Sequence, residues 1–207
     1  MEIITLTVGR MQENCYLVFD NKTKKGIVID PGDDADYIER IIADHTMIPQ
    51  AIIATHGHFD HLMAAIELVL AYKIPFIINC LDKFLVNNLS QSAKHFLGIE
   101  AGPPPPVAAC LKDKEKIMIG KYTLTVIYTP GHTPGSICLY DKSNNILFTG
   151  DTLFADGGIG RTDFSYSDQH KLTASLKKIF RLPGQTCIFP GHGRVSTLEE
   201  EKIYHHL

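Results

Sequence analysis

Positions 56–61 read His56-x-His58-x-Asp60-His61, three imidazoles and a carboxylate within six residues. So dense a run of polar side chains cannot enter a core without partners, and it therefore constrains what surrounds it. Extended backbone turns residues two apart to the same side, so His56 and His58 can grip one cation. A turn at Phe59 then carries Asp60 and His61, at the start of the next helix, toward a second cation beside the first. The apolar residues 50–55 before the run read as a strand and residues 62–72 after it as a helix. One such histidine is ordinarily a surface or core residue; four ligating side chains this close argue for a metal centre at a strand end. Imidazole and carboxylate without thiolate suit zinc first, with iron or manganese also compatible.

Three later segments repeat the arrangement of a polar side chain in a turn after a strand. They are Thr129-Pro-Gly-His132-Thr-Pro-Gly135, Phe148-Thr-Gly-Asp151 and Phe189-Pro-Gly-His192-Gly. Each alone reads equally well as a glycine turn with an incidental polar residue. With the first motif they make seven candidate ligands, His56, His58, Asp60, His61, His132, Asp151 and His192.

The remaining pattern supplies the frame. Residues 14–20 and 26–30 read as a hairpin, and Asp30-Pro-Gly-Asp-Asp34 stops the second strand and can cap a helix carrying Tyr37, Ile38, Ile41 and Ile42 on one face. A strand at 74–78 and a helix near 81–90 follow. Residues 102–106, Gly followed by four prolines, must be extended and read as a stiff surface connector. A second hairpin, 116–119 with 122–128, turns at Gly120-Lys121, where glycine suits a type II′ turn. Strands at 136–141, 145–149 and 186–190, a helix at 167–181 and a last helix at 198–204 complete the chain. The two halves share an order of strands and helices, which predicts two sheets packed face to face with helices outside.

The chain has 207 residues, so a single domain spanning 1–207 is expected. Its 20 basic and 23 acidic residues give a net charge of −3, which offers no footprint for nucleic acid or for an anionic membrane surface. No apolar run has the length of a membrane span, and the N-terminus lacks the pattern of a secretory leader. The five cysteines, Cys15, Cys80, Cys110, Cys138 and Cys187, are widely spaced. A disulfide framework is not expected from them, and a reducing, cytoplasmic setting with buried thiols is. His45, His95 and His170 have no cluster around them and read as surface or core residues; His205 and His206 read as a solvated tail. The oligomeric state is left open.

The motif at 56–61, followed by His132, Asp151 and His192, resembles the full ligand set of the metallo-β-lactamase superfamily. The resemblance covers nearly the whole chain and implies a four-layer αββα sandwich with the metals at one edge of the sheets. It implies His56, His58 and His132 on a first metal, Asp60, His61 and His192 on a second, and Asp151 bridging both. A bridging aspartate, with Thr149-Gly-Asp-Thr-Leu-Phe154 and Gly158-Ile-Gly-Arg-Thr-Asp-Phe164, is similar to glyoxalase II and to the short glyoxalase II-like hydrolases of bacteria. Two features depart from glyoxalase II proper. Its helical domain that helps hold glutathione has no counterpart after His192, and the Lys- and Tyr-bearing segment after the bridging Asp is replaced by Ala155-Asp-Gly-Gly-Ile-Gly160.

The resemblance implies a small-molecule thioester or ester as substrate, such as an S-2-hydroxyacylglutathione. Two metals about 3.5–4 Å apart can share one water and lower its pKa toward about 7, supplying a bridging hydroxide as nucleophile. Asp60 would orient that water as well as bind metal, so Asp60 and Asp151 are the catalytic candidates. Asp30 resembles a carboxylate that orients a ligand histidine in this family; a helix-capping turn explains it equally well. Arg161 can anchor a substrate carboxylate, but pairing with Asp163 is the favoured reading. The main alternative is a persulfide dioxygenase, which shares the fold and the Gly-Arg-Thr-Asp-Phe stretch but uses one iron held by the equivalents of His56, His132 and Asp151. A nuclease is disfavoured by the acidic balance, and a purely structural metal module by a site with more than four ligands.

Overall fold

The strand patterns of the sequence assemble into two mixed six-stranded sheets in the computed structural model, which describes residues 1–205. In the first sheet β1 (Glu2–Val8), β2 (Glu13–Phe19) and β3 (Lys25–Ile29) form an antiparallel meander. Strands β4 (Ile48–Ile53), β5 (Phe76–Ile78) and β6 (Val107–Cys110) extend it in parallel. In the second sheet β7 (Lys116–Ile119), β8 (Tyr122–Tyr128), β9 (Ile137–Asp141) and β10 (Ile146–Gly150) run antiparallel to one another. Strand β11 (Cys187–Pro190) joins β10 in parallel, and the short β12 (Ser196–Thr197) closes the order. The helices are α1 (Ala35–Asp44), α2 (Ala65–Tyr72), α3 (Lys83–Asn87), α4 (Leu89–Leu97), α5 (Gln169–Ile179) and α6 (Leu198–Lys202).

Side-chain alternation explains the layers. Every residue of β2 is buried. Cys15, Leu17 and Phe19 pack with Ile38, Ile42 and Leu68 of the first helical layer, while Tyr16 and Val18 enter the core between the sheets. Strand β9 does the same in the second half, with Cys138 and Tyr140 against Leu172 and Leu176 of α5, and Ile137 and Leu139 between the sheets. A strand apolar on both faces must be covered on both, so helices flank two stacked sheets, as expected from the sequence. This α/β sandwich belongs to the αββα type.

Several details differ from the sequence reading. The helix expected near 81–90 is two helices, α3 and α4, separated at Asn88. The connector at 102–106 leads into β6, an edge strand that its mostly exposed Val-Ala-Ala-Cys stretch did not announce. Asp34 precedes α1 in a left-handed conformation and makes no cap; its carboxylate accepts instead from the Gly9 N–H at 2.9 Å. The thiol reading needs a larger correction. Cys80 and Cys110 form a disulfide with Cα atoms 5.1 Å apart, and Cys15 and Cys138 are the buried free thiols. The pairing is invisible in sequence because the two cysteines meet only where β5 and β6 lie side by side. His205 is half-buried against the Phe180 ring, at 5.4 Å, rather than solvated. His206 lies outside the described residues. Among the described residues no helix is long and apolar enough to cross a membrane.

Phe148 is fully buried between the sheets, its ring 5.2 Å from Tyr16 and 5.3 Å from Phe189. Phe148→Ala is expected to cost about 3–5 kcal/mol and to lower Tm by roughly 10 °C in a thermal melt. Leu70→Ala, at a side chain 69% exposed, is expected to stay within about 0.5 kcal/mol of the parent.

Candidate metal centre

The seven predicted ligands converge at one edge of the sandwich. His56 and His58 follow β4, and Asp60 and His61 sit in the single 3₁₀ turn Phe59–His61. His132 follows β8, Asp151 follows β10 and His192 follows β11. The pairings run these strands in one direction, so their C-terminal ends and the loops beyond them meet. Two donor groups result, His56–His58–His132–Asp151 and Asp60–His61–His192, each with its atoms within 4.8 Å of one another. Asp151 stands between them, with Oδ2 3.5 Å from His132 Nε2 and Oδ1 3.4 Å from His61 Nε2. Gly191 makes this approach feasible: a Cβ there would lie 2.3 Å from Asp151 Oδ1 and 2.7 Å from His61 Cε1.

The surroundings determine which ring nitrogens face inward. His61 Nδ1 lies 3.1 Å from Asp30 Oδ2 and His132 Nδ1 lies 2.8 Å from the Arg161 carbonyl. Both oxygens can only accept, so both Nδ1 atoms donate, and Nε2 is the nitrogen that each ring turns inward. Thr55 donates its hydroxyl to Asp30 at 2.6 Å and accepts from His56 Nδ1 at 3.1 Å, with the same consequence for His56 Nε2. His58 is reversed: its Nε2 meets the Tyr166 hydroxyl at 2.9 Å. Its Nδ1 faces His56 Nε2 at 3.1 Å and His132 Nε2 at 3.0 Å. At most one N–H, from His58 Nδ1, can stand among these three nitrogens, so at least one lone pair is left without a donor. His61 Nε2 and Asp151 Oδ1, both buried, also have no hydrogen-bond partner. These inward-facing donors fit divalent cations of the zinc, iron or manganese type.

The electrostatics agree with that fit. Burial and the nearby His61 hold His56 well below its ordinary value, and burial with His132 pushes His58 down to about 3, so both rings stay neutral. Burial alone would raise Asp151, but His61, His56 and His132 outweigh it and hold the carboxyl well below its usual range. Asp60 is lowered in the same way by His61 and His192 against its burial. His61, which burial would depress, is instead raised well above the ordinary value by Asp151, Asp60 and Asp30. The carboxylates therefore favour positive charge at the point where the donors meet.

Asp30 orients rather than caps. It is buried, accepts from the Thr55 backbone and hydroxyl, and holds His61. Arg161 meets the neighbour expected from sequence, its Nε and Nη2 donating to the two oxygens of Asp163 at 2.6 and 2.5 Å. Three contributors were missed. Asp82 is fully buried and accepts from Gly57 N at 2.9 Å, Thr133 Oγ1 at 2.6 Å and Gly135 N at 2.6 Å. It thereby ties the loop of His56 and His58 to the loop of His132. Tyr166 orients His58. Glu13 lies with Oε1 3.4 Å from His61 Nδ1 and neither oxygen hydrogen-bonded, and burial raises its carboxyl well above the usual range. Glu13 opens β2 ahead of the polar Asn14, so nothing in the sequence singled it out.

Beside the donors opens a cavity of about 420 Å³, walled by Met11, Leu85, Phe96, Phe154, Phe164 and Tyr166 among others. Asp82→Ala would leave two buried N–H groups and a hydroxyl unsatisfied at about 1–3 kcal/mol each. The expected result is a Tm lower by roughly 10 °C and a weaker metal affinity in a chelator competition; an unchanged affinity would separate Asp82 from the centre.

Comparison with known proteins places this geometry. The family model described as "Metallo-beta-lactamase superfamily" matches residues 8–192. The chain is 34% identical to the hydroxyacylglutathione hydrolase GloC of Haemophilus influenzae, over 98% of this chain and 95% of that one. Among solved structures it resembles TTHA1623 in a di-iron-bound form, with TM-score 0.89 and 35% identity over 98% of both chains. It also resembles ETHE1 from Myxococcus xanthus, with TM-score 0.80 and 25% identity over 99% of this chain and 83% of that one. The chain, its donors gathered at the sheet edge and its match running through nearly all of its length, belongs to the metallo-beta-lactamase superfamily.

Proposed function

We propose that the chain is one hydrolase domain that acts on a small-molecule thioester or ester with two divalent cations. His56, His58 and His132 would hold the first, Asp60, His61 and His192 the second, and Asp151 would bridge them. The observation that carries this reading is the split of the Asp151 carboxylate, Oδ2 toward His132 and Oδ1 toward His61. Zinc is the first expectation; the di-iron form of TTHA1623 supports iron as an alternative. The likeness to GloC supports a thioester such as an S-2-hydroxyacylglutathione. The slight negative charge argues against nucleic acid as a partner. A cytoplasmic location belongs to the same proposal, with the Cys80–Cys110 bridge the one observation that pulls against it.

When bound, two such cations supply an activated water and polarise the carbonyl under attack. The residues of the chain do the rest. Asp60 and Asp151, both held ionised, accept hydrogen bonds from the attacking water and orient it. If His58 presents Nδ1 inward, its Nε2–H donates to Tyr166. The phenol, pushed up to about 12 by burial, then keeps its own proton free to donate to a substrate oxygen. Aromatic walls limit water around the scissile bond. A second reading, a persulfide dioxygenase with one iron on His56, His132 and Asp151, is favoured by the likeness to ETHE1.

The purified protein is expected to carry about two divalent ions per chain and to hydrolyse S-lactoylglutathione. Asp151→Ala is expected to lose at least about a thousandfold in kcat/KM, the several kcal/mol that a cation contributes to the transition state. Asp30→Asn should weaken metal affinity about 10–100-fold in a chelator competition. One iron per chain, oxygen uptake with glutathione persulfide and no hydrolysis would replace this reading with the second.

A further inference from the structure

We propose that the cavity selects a thioester by a bulky apolar acyl group, aromatic or branched, and leaves the thiol carrier in solvent without holding its charges. This rests on the hydrolase reading and narrows its substrate. The wall facing the metal centre is apolar: Met11, Leu85, Phe96, Phe154, Ile159 and Phe164. Its rings are organised as a surface. Phe164 stacks on Tyr166 at 5.2 Å, Phe96 stacks on Phe59 at 5.7 Å, and Phe96 meets Phe164 edge-on at 6.3 Å. Such a wall offers an incoming acyl chain area and offset-stacking geometry, and beyond Tyr166 and Ser92 little for a hydroxyl to bond.

The charges make the complementary argument. Glutathione presents two carboxylates and an ammonium, and a site built to hold it needs free cations. Among the described residues lining the cavity, Arg161 is the sole lysine or arginine. Its guanidinium spends its forked edge on both oxygens of Asp163 and lies over the Phe164 ring at 4.5 Å. In the reaction, water adds to the acyl carbon and the C–S bond breaks. The acyl group departs as a carboxylate, the carrier as a thiol, and one proton is released.

The test is kcat/KM of the metal-loaded protein on four thioesters, S-lactoyl and S-phenylacetyl, each on glutathione and on uncharged N-acetylcysteamine. An apolar group filling such a pocket is worth about tenfold or more. The phenylacetyl esters are therefore expected to exceed the lactoyl esters by at least about tenfold on both carriers, with glutathione preferred by less than about threefold. A smaller acyl preference, or a larger carrier preference, overturns the proposal while leaving the hydrolase reading intact; no turnover of any of the four removes both. Phe96→Ala, at a rim residue 47% exposed, should reduce the phenylacetyl rate by about tenfold more than the lactoyl rate. Equal effects on the two acyl groups would overturn the assignment to this wall.

Discussion

Asp151 is the side chain on which the centre turns. A carboxylate buried among imidazoles is stable only while positive charge or hydrogen-bond donors face each of its oxygens. Here one oxygen lies 3.5 Å from the His132 ring and the other 3.4 Å from the His61 ring, and Oδ1 has no hydrogen-bond partner, so a cation between the rings would supply the missing charge. That requirement brings the ends of β4, β8, β10 and β11 into register across two different sheets. It also explains the tight backbone at Gly191, where no side chain could stand between β11 and the carboxylate.

Around this point the fold supplies a set of residues that would never touch a substrate. Asp30, Thr55 and the Arg161 carbonyl engage Nδ1 of His61, His56 and His132, so that Nε2 of each ring faces inward, where a cation would take the place of a proton. Asp82 joins the loops of the first and second motifs through three short hydrogen bonds. From the other side Asn14 fixes the His192 loop by donating to the carbonyls of Pro190 and Gly193, and Tyr16 donates to the same Pro190 carbonyl. Metal sites depend on such outer partners almost as much as on their ligands.

Substrate choice is a separate layer. The donors come from strand ends, where the sheets hold them rigidly, but the cavity wall comes from α3, α4 and the loop following β10. Loops vary at little cost to the core, so one metal centre can serve many substrates, and fold alone does not name the one in use. In this chain the wall is aromatic and its single arginine is already paired.

The candidate donors that the structure gathers at one edge were legible in the sequence because their pattern is local. Two histidines two apart in extended chain, and a Gly-His or Gly-Asp step after an apolar strand, announce themselves without knowledge of what lies opposite. Most strands were legible for the same reason, as short apolar runs bounded by turn residues, whereas the exposed edge strand β6 was not. What only tertiary structure decided were relations between distant segments. Asp82, in an unremarkable helix start, becomes a clamp because Gly57 and Gly135 are brought to it. Cys80 and Cys110 bond because β6 happens to join β5, and Tyr166 matters because its loop folds over His58. The state of Arg161 depended on which neighbour it reached first. Each is a contact between side chains whose separation along the chain carries no periodic signal, so only the packed fold could place them.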